Sequence, residues 1–170
     1  MHDRIGLWRY LIGDTVKFTS LNPFRIKISG RTKSFINVFG EELMVDNTDH
    51  ALIIACQKTG ALISEYTVAP LFLENENTAA HEWIIEFTSP PDNIEYFCEV
   101  LDNALKSLNS DYEAKRYHGL ILREPVIHHA PQGTFYKWLK LRGKLGGQNK
   151  VPRLSGDRKY IDELLQIMSE

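Results

Sequence analysis

Residues 61–108, ALISEYTVAPLFLENENTAAHEWIIEFTSPPDNIEYFCEVLDNALKSL, decide the fold of this chain. Their first part predicts two strands, over 61–74 and 81–88, because apolar and β-branched residues cluster there and a polar loop separates them. Three large apolar side chains of the second strand share one face: Trp83, Ile85 and Phe87. A strand pair with such a face needs a second layer to cover it.

The second layer follows at once in the sequence. After two prolines, Asp92 and Glu95 form a capping-box pattern, which predicts the start of a helix. Apolar residues then recur at helical spacing: Ile94, Phe97, Cys98, Leu101, Leu105 and Leu108. A strand pair followed by an amphipathic helix favours an α/β sandwich.

Similar patterns continue on both sides of this stretch. Val16 and Phe18, then Phe24, Ile26 and Ile28, alternate with polar residues and predict two N-terminal strands. Residues 46–48 offer N-caps to a helix whose inner face carries Ala51, Leu52, Ala55 and Cys56. A strand over 126–130 and helices over 134–142 and 157–168 complete the prediction. We therefore expect one domain over 1–170, an α+β sandwich with an N-terminal β-hairpin and a mixed sheet flanked by about four helices.

Composition excludes several classes of protein. The chain is 43% hydrophobic and 25% charged, which is typical of a globular domain. Its N-terminus lacks the pattern of a signal peptide, and no apolar run has the length of a membrane span. The two cysteines, Cys56 and Cys98, are then expected to be reduced core thiols in a cytoplasmic protein. Basic residues concentrate within 1–33 and 137–159, but the overall pI of 6.3 disfavours nucleic acid as a partner.

The stretch 133–153, GTFYKWLKLRGKLGGQNKVPR, contains the strongest candidate for chemistry. A glycine-rich loop leads to Lys150, and Pro152 restricts the backbone of the residue before it. A lysine on such a loop can reach a phosphoryl oxygen through its long side chain. The alternative from the residues alone is a surface loop without a ligand.

Three weaker candidates lie elsewhere. Asp14, after Gly13, can accept hydrogen bonds from two vicinal hydroxyls, or it can simply end a turn. Arg31, after Gly30, can bind a phosphate or face water. His128 and His129 follow one another on a strand and therefore point to opposite faces, which disfavours a shared metal ion.

Taken together, the motifs resemble one family. GLWRYLIGDTVKF, FRIKISGRTKSFINVFGEE and the 133–153 stretch stand in the order found in the C-terminal region of auxin-responsive acyl acid–amido synthetases. These enzymes belong to the adenylate-forming superfamily, and the resemblance covers essentially the whole chain. Leu11 and Lys33 depart from the plant members, so that a bacterial-type member is expected and plant-hormone specificity is not.

The resemblance implies roles for particular residues. Asp14 matches the aspartate that holds the ribose of ATP or AMP, and Tyr10 lies close to the nucleotide. Arg31 matches an arginine near the hinge, which places strands within 1–33 next to that hinge. Lys150 matches the mobile lysine that reaches the α-phosphate and the carboxylate during adenylation.

The neighbours of Lys150 are implied to support its loop rather than to react. These residues are Gln148, Pro152 and Arg153.

The implied function is that of a ligase domain. A carboxylic acid would be activated by ATP, with Mg²⁺, to an acyl-AMP, and the acyl group would pass to an amine. The nucleotide and metal would be bound mainly by an N-terminal domain outside this chain, so that the chain alone is expected to be inactive. The ligase domain is expected to have neither nucleic acid nor a membrane as a partner. The alternative is a free-standing, non-enzymatic α/β module that binds an anion or a nucleotide.

Overall fold

A computed structural model describes residues 14–31, 35–73, 78–117, 121–146 and 149–170 of the chain. The predictions for Tyr10, Leu11, Lys33 and Gln148 lie outside these ranges. Seven strands are described: β1 (Asp14–Leu21), β2 (Phe24–Arg31), β3 (Phe35–Ile36), β4 (Leu43–Met44), β5 (Leu62–Phe72), β6 (Ala79–Ser89) and β7 (Val126–Ala130).

Five helices lie in the same ranges: α1 (Val45–Thr59), α2 (Ile94–Leu108), α3 (Ser110–Arg116), α4 (Thr134–Leu141) and α5 (Lys159–Ser169). The short α3 was not predicted, because its seven residues carry no long apolar stripe. None of these helices combines the length and hydrophobicity needed to cross a bilayer.

The central sheet has the strand order β5-β6-β7. β5 and β6 are antiparallel, with Val68 opposite Trp83, whereas β6 and β7 are parallel, with Trp83 opposite Ile127. The mixed sheet predicted from the sequence is therefore confirmed. Its central strand, β6, is buried over most of its length because both faces are covered.

Each face of the sheet packs against a different pair of helices. The predicted face of Trp83, Ile85 and Phe87 lies against α1 and α2 in one hydrophobic core. Ile84, on the opposite face, belongs to a second core that α4 and α5 cover. This two-sided packing confirms the predicted α/β sandwich. It also confirms the alternation of the two histidines, since His128 contacts Glu82 on one face and His129 contacts the ring of Phe87 on the other.

The helix starts differ in detail from the prediction. Asn93, not Asp92, caps α2, because its side chain accepts a hydrogen bond from the Tyr96 amide at 3.0 Å. α1 begins at Val45, so that the predicted cap residues 46–48 lie within its first turn and Met44 is the N-cap. Asp157 precedes α5 and accepts from the Lys159 amide, which moves the start of that helix two residues beyond the predicted one.

The hairpin of β1 and β2 differs from the rest of the fold in its exposure. Its cross-strand pairs place Val16 opposite Ile28 and Phe18 opposite Ile26. These side chains are all more than half exposed, as is Phe24, which contacts the ring of Phe18. An isolated two-stranded hairpin is only marginally stable in water, so that an apolar face of this size needs a partner surface.

The turn between β3 and β4 is fixed by a buried carboxylate. Glu41 accepts hydrogen bonds from the amides of Val38 and Phe39, and it lies 3.0 Å from Nε2 of the buried His81. Burial alone would raise the pKa of Glu41, but these hydrogen bonds outweigh burial and lower that pKa to about 2. The folded chain therefore favours the ionised carboxylate.

This lowered pKa predicts an acid-dependent loss of stability. Because the folded pKa lies below the ordinary value of 4.5, the contribution of Glu41 is complete above about pH 4.5 and falls as the pH drops toward 2. The destabilisation caused by Glu41→Gln, measured by urea unfolding, should shrink by about 3 kcal/mol from pH 6 to pH 2. Glu42→Gln, at the exposed neighbour, is the control. A Glu41→Gln effect independent of pH would contradict this account.

Candidate functional site

Residues 149–155, here named the lysine segment, lie along the outer edge of β5. The Val68 amide donates to the Arg153 carbonyl at 2.9 Å, and the Ser155 amide donates to the Val68 carbonyl at 3.0 Å. The Thr67 hydroxyl donates to the Pro152 carbonyl at 2.7 Å. The end of the glycine-rich loop therefore pairs with β5 through an isolated parallel bridge between Leu154 and Val68.

Side chains of the lysine segment differ in their burial. Val151 and Leu154 are buried in the two cores, whereas Lys150 is exposed. Within the described ranges, no ion pair or hydrogen bond holds the Lys150 ammonium. Among the described residues, the segment thus presents an unpaired ammonium, and the backbone that follows Lys150 is fixed.

Arg153 joins the lysine segment to helix α1. Its guanidinium Nη1 donates to both carboxylate oxygens of Asp49 at 2.5 Å, and the guanidinium carbon lies 5.3 Å from the centre of the Tyr66 ring. The Tyr66 hydroxyl in turn donates to Asp49 at 2.6 Å and lies 2.8 Å from the hydroxyl of Thr48. These contacts connect residues 104 positions apart in the sequence.

Burial and nearby charges shift the pKa values of Arg153 and its neighbours. Burial, together with the hydrogen bond to Asp49, raises the pKa of Tyr66 well above its ordinary value. Burial also raises the pKa of Glu65, although Arg153 opposes part of that shift. Burial alone would lower the pKa of Arg153, but the Asp49 carboxylate raises it. The arginine therefore carries a permanent charge at this position.

The other side of the loop is fixed by helix α4. Gly133 is the N-cap with φ of 86°, a left-handed conformation that favours glycine. The Thr134 hydroxyl donates to the Pro131 carbonyl, and the Phe135 amide donates to Glu86 of β6. The G-T-F letters of the sequence motif thus specify the start of a helix.

At the end of α4, Arg142 fixes the helix to α5. Its guanidinium lies 5.0 Å from the ring centres of both Trp138 and Tyr160 and donates to Glu163 at 2.6 Å. Gly143 then takes a left-handed conformation and begins the loop. The R-G letters of the motif are therefore structural as well.

The remaining candidates lie on the hairpin. Asp14 and Arg31 are register partners at its open end. The backbone thus brings together two residues that lie seventeen positions apart in the sequence. The described contacts of the lysine segment run to β5 and α1.

Metal-binding side chains do not converge in the described ranges, where no group of three or more histidine, cysteine, aspartate or glutamate residues is placed to hold an ion. A Mg²⁺ ion accompanying a nucleotide would need donors from the nucleotide or from residues outside these ranges.

The chain matches a known protein family over most of the residues described above. A family model described as "GH3 family C-terminal domain" matches residues 46–159, which is more than half of the chain. The chain belongs to the GH3 family. The match begins at the second residue of α1, so that the GH3 domain so defined contains α1 to α4, β5 to β7 and the lysine segment, but neither the hairpin nor most of α5.

Solved structures show the same fold. The chain resembles a structure titled "GH3.15 acyl acid amido synthetase" with a TM-score of 0.72 at 18% identity. A second, titled "AtGH3.15 acyl acid amido synthetase in complex with 2,4-DB", gives 0.71 at 17% identity. Each comparison covers 95% of this chain but 30% of the solved chain. None of the curated protein sequences matches the chain significantly.

These findings confirm the predicted family and fold, and they show that the chain corresponds to a minor part of longer proteins. Sequence reasoning missed the surroundings of Arg153, namely Asp49, Tyr66 and Thr67. Their sequence carries no motif, because their role arises only when α1 and β5 pack beside the lysine segment.

The different surroundings of Lys150 and Arg153 predict different effects on stability. Lys150→Ala should change the free energy of unfolding by less than about 0.5 kcal/mol, since the side chain is exposed. Arg153→Ala should cost about 1 kcal/mol, because it removes an ion pair and a contact with an aromatic ring. Urea unfolding measures both, with Lys144→Ala as a further exposed-lysine control. Equal losses for Lys150→Ala and Arg153→Ala would show that Lys150 is structural.

Proposed function

We propose that this chain is the mobile C-terminal domain of an ATP-dependent acyl acid–amido synthetase. The carboxylate of an acid attacks the α-phosphorus of ATP, pyrophosphate leaves, and an acyl-adenylate forms. An amine then attacks the acyl carbon, AMP leaves, and an amide results. The GH3 membership and the titles of the similar structures support this chemistry.

The observation that carries the proposal is the isolation of Lys150 on a fixed segment. After it, Val151 and Leu154 bury their side chains and Arg153 forms an ion pair, whereas its own ammonium is exposed and unpaired among the described residues. An ammonium whose charge is not neutralised nearby can bind an incoming anion without first breaking a contact. Lys150 is therefore suited to receive the α-phosphate.

Lys150 would act when negative charge builds on the phosphoryl oxygens. A positioned cation in a site closed to water stabilises that charge, and removal of one such contact typically costs about 10²–10³ in rate. Rotation of the domain about the region of Arg31 would then withdraw Lys150 and admit the amine. One catalytic centre would thus serve two half-reactions in turn.

Asp14, Arg31 and Tyr10 would contact the nucleotide. The register of the hairpin supports a common role for the first two, since it places their backbones side by side. The nucleotide supplies the phosphoryl group and the energy of the reaction. The acid and most of the phosphate contacts would be bound by an N-terminal domain.

The exposed hairpin supports the existence of this N-terminal domain. Its exposed apolar side chains include those of Val16, Phe18, Ile26 and Ile28, and none of these four belongs to either core. The similar structures are longer chains, of which this one covers 30%. A large domain preceding the GH3 domain would cover the hairpin and place Asp14 and Arg31 near Lys150. The protein would then be a cytoplasmic ligase of two domains.

The role of Lys150 predicts a selective defect. In the intact gene product, Lys150→Ala should lower carboxylate-dependent ATP–pyrophosphate exchange by about 10²–10³. Conversion of a supplied acyl-adenylate to the amide should change far less, because Lys150 is withdrawn in that step. Lys144→Ala is the matched control, since it removes another exposed lysine of the same loop region. Equal losses in both half-reactions would remove the proposed role.

The need for a large domain predicts the size of the natural product. An antibody raised against this chain should detect, in extracts of the source cells, a protein several times larger than 19.6 kDa. The chain by itself should form no adenylate. A natural product of 19.6 kDa, or adenylation by residues 1–170 alone, would favour the free-standing binding module.

A further inference from the structure

We infer that Asp49 is a positioning residue that acts on Lys150 through Arg153. This inference rests on the proposed function, because it assigns a purpose to the surroundings of the lysine segment. Asp49 lies in the second turn of α1 and would itself touch neither the nucleotide nor the acid. Its carboxylate holds the guanidinium of the residue three positions after Lys150.

Asp49 is itself held from the opposite side. The buried Tyr66 hydroxyl donates to it at 2.6 Å, and that hydroxyl is fixed by Thr48 at 2.8 Å. The Thr48 hydroxyl also lies 2.9 Å from the Val45 carbonyl at the start of α1. A chain of hydrogen bonds therefore runs from the first turn of α1 to the guanidinium of Arg153.

The location of the Asp49–Arg153 pair argues against a purely stabilising role. Both side chains are partly exposed, at 33% and 45%, and ion pairs of that exposure contribute little to stability. The pair nevertheless fixes the direction of Arg153, since one nitrogen contacts both carboxylate oxygens and the guanidinium also lies over the Tyr66 ring. We expect the ion pair to affect the orientation of the lysine segment more than the stability of the fold.

The position of Arg153 can influence that of Lys150 because only two residues separate them. Three residues of extended chain span about 10 Å at most, and Pro152 restricts the residue before it. The backbone bonds of Val68 hold the segment at Arg153 and Ser155, beyond Pro152. Without Asp49, Arg153 is free to leave the Tyr66 ring, and the hydrogen bonds of Thr67 and Val68 then hold the segment without the support of that side chain. Small displacements of a reacting group, of about 1 Å, can cost 10²-fold in rate.

The test uses the intact gene product and the variant Asp49→Asn, which keeps an acceptor for Tyr66 but removes the charge that Arg153 requires. Asp162→Asn is the matched control, because Asp162 forms a partly exposed ion pair with Arg158 away from the lysine segment. Pyrophosphate exchange measures adenylation, and conversion of a supplied acyl-adenylate measures amide formation. Hydrogen exchange of the amides in 149–155 measures the local stability of the segment, independently of activity.

We expect Asp49→Asn to lower pyrophosphate exchange about tenfold, to change amide formation by less than about twofold, and to accelerate hydrogen exchange in 149–155. In a Lys150→Ala background the same substitution should add no further loss, since the residue acts only through that lysine. Asp162→Asn should show none of these effects. Asp49→Glu should restore part of the lost exchange activity.

Three results would overturn the inference: unchanged hydrogen exchange in Asp49→Asn, equal losses in both half-reactions, or a full additional loss in the Lys150→Ala background. Failure of the proposed function is distinguishable from these results. If Lys150→Ala itself spares adenylation, the proposed function fails whatever Asp49 does. The assignment of Asp49 as a positioning residue then falls with it, even where hydrogen exchange shows that the ion pair orders the segment.

Discussion

The site depends on the pairing of the lysine segment with the edge of β5. Two backbone hydrogen bonds of Val68, to Arg153 and from Ser155, convert the end of a glycine-rich loop into part of the sheet. Burial of Val151 and Leu154 adds apolar area on both sides of that edge. Because the backbone after Lys150 is fixed in this way, an exposed lysine can occupy a defined place on the domain instead of sampling many positions.

Stability and function are divided between different parts of the molecule. Two cores on opposite faces of β6 bury the large side chains, and buried polar groups such as Glu41 and Asp102 are held by several partners each. The hairpin of β1 and β2, in contrast, exposes its apolar face. We therefore regard the compact part as the GH3 domain proper and the hairpin as the part that a larger domain would complete.

Periodic patterns predicted the amphipathic helices well because each of them buries one face. The inner face of α1 is an example, since the small and apolar residues there are set by packing. Exact helix starts were predicted less well. Asp92 and Asn93 are both good caps, and only the surrounding backbone selects Asn93. Local sequence does not contain that choice.

The candidate site, like the fold, was predicted from the sequence only in part. Lys150 was proposed from its loop and from the family resemblance, and the hairpin register adds that Asp14 lies opposite Arg31. Asp49 and Tyr66 could not be predicted, because their contact with Arg153 joins distant parts of the chain.

The most direct test of the central claim is to identify the nucleotide that is released when the intact gene product converts carboxylic acids to hydroxamates with ATP and hydroxylamine. Our account predicts one AMP and one pyrophosphate for each hydroxamate, whereas release of ADP and phosphate would contradict it.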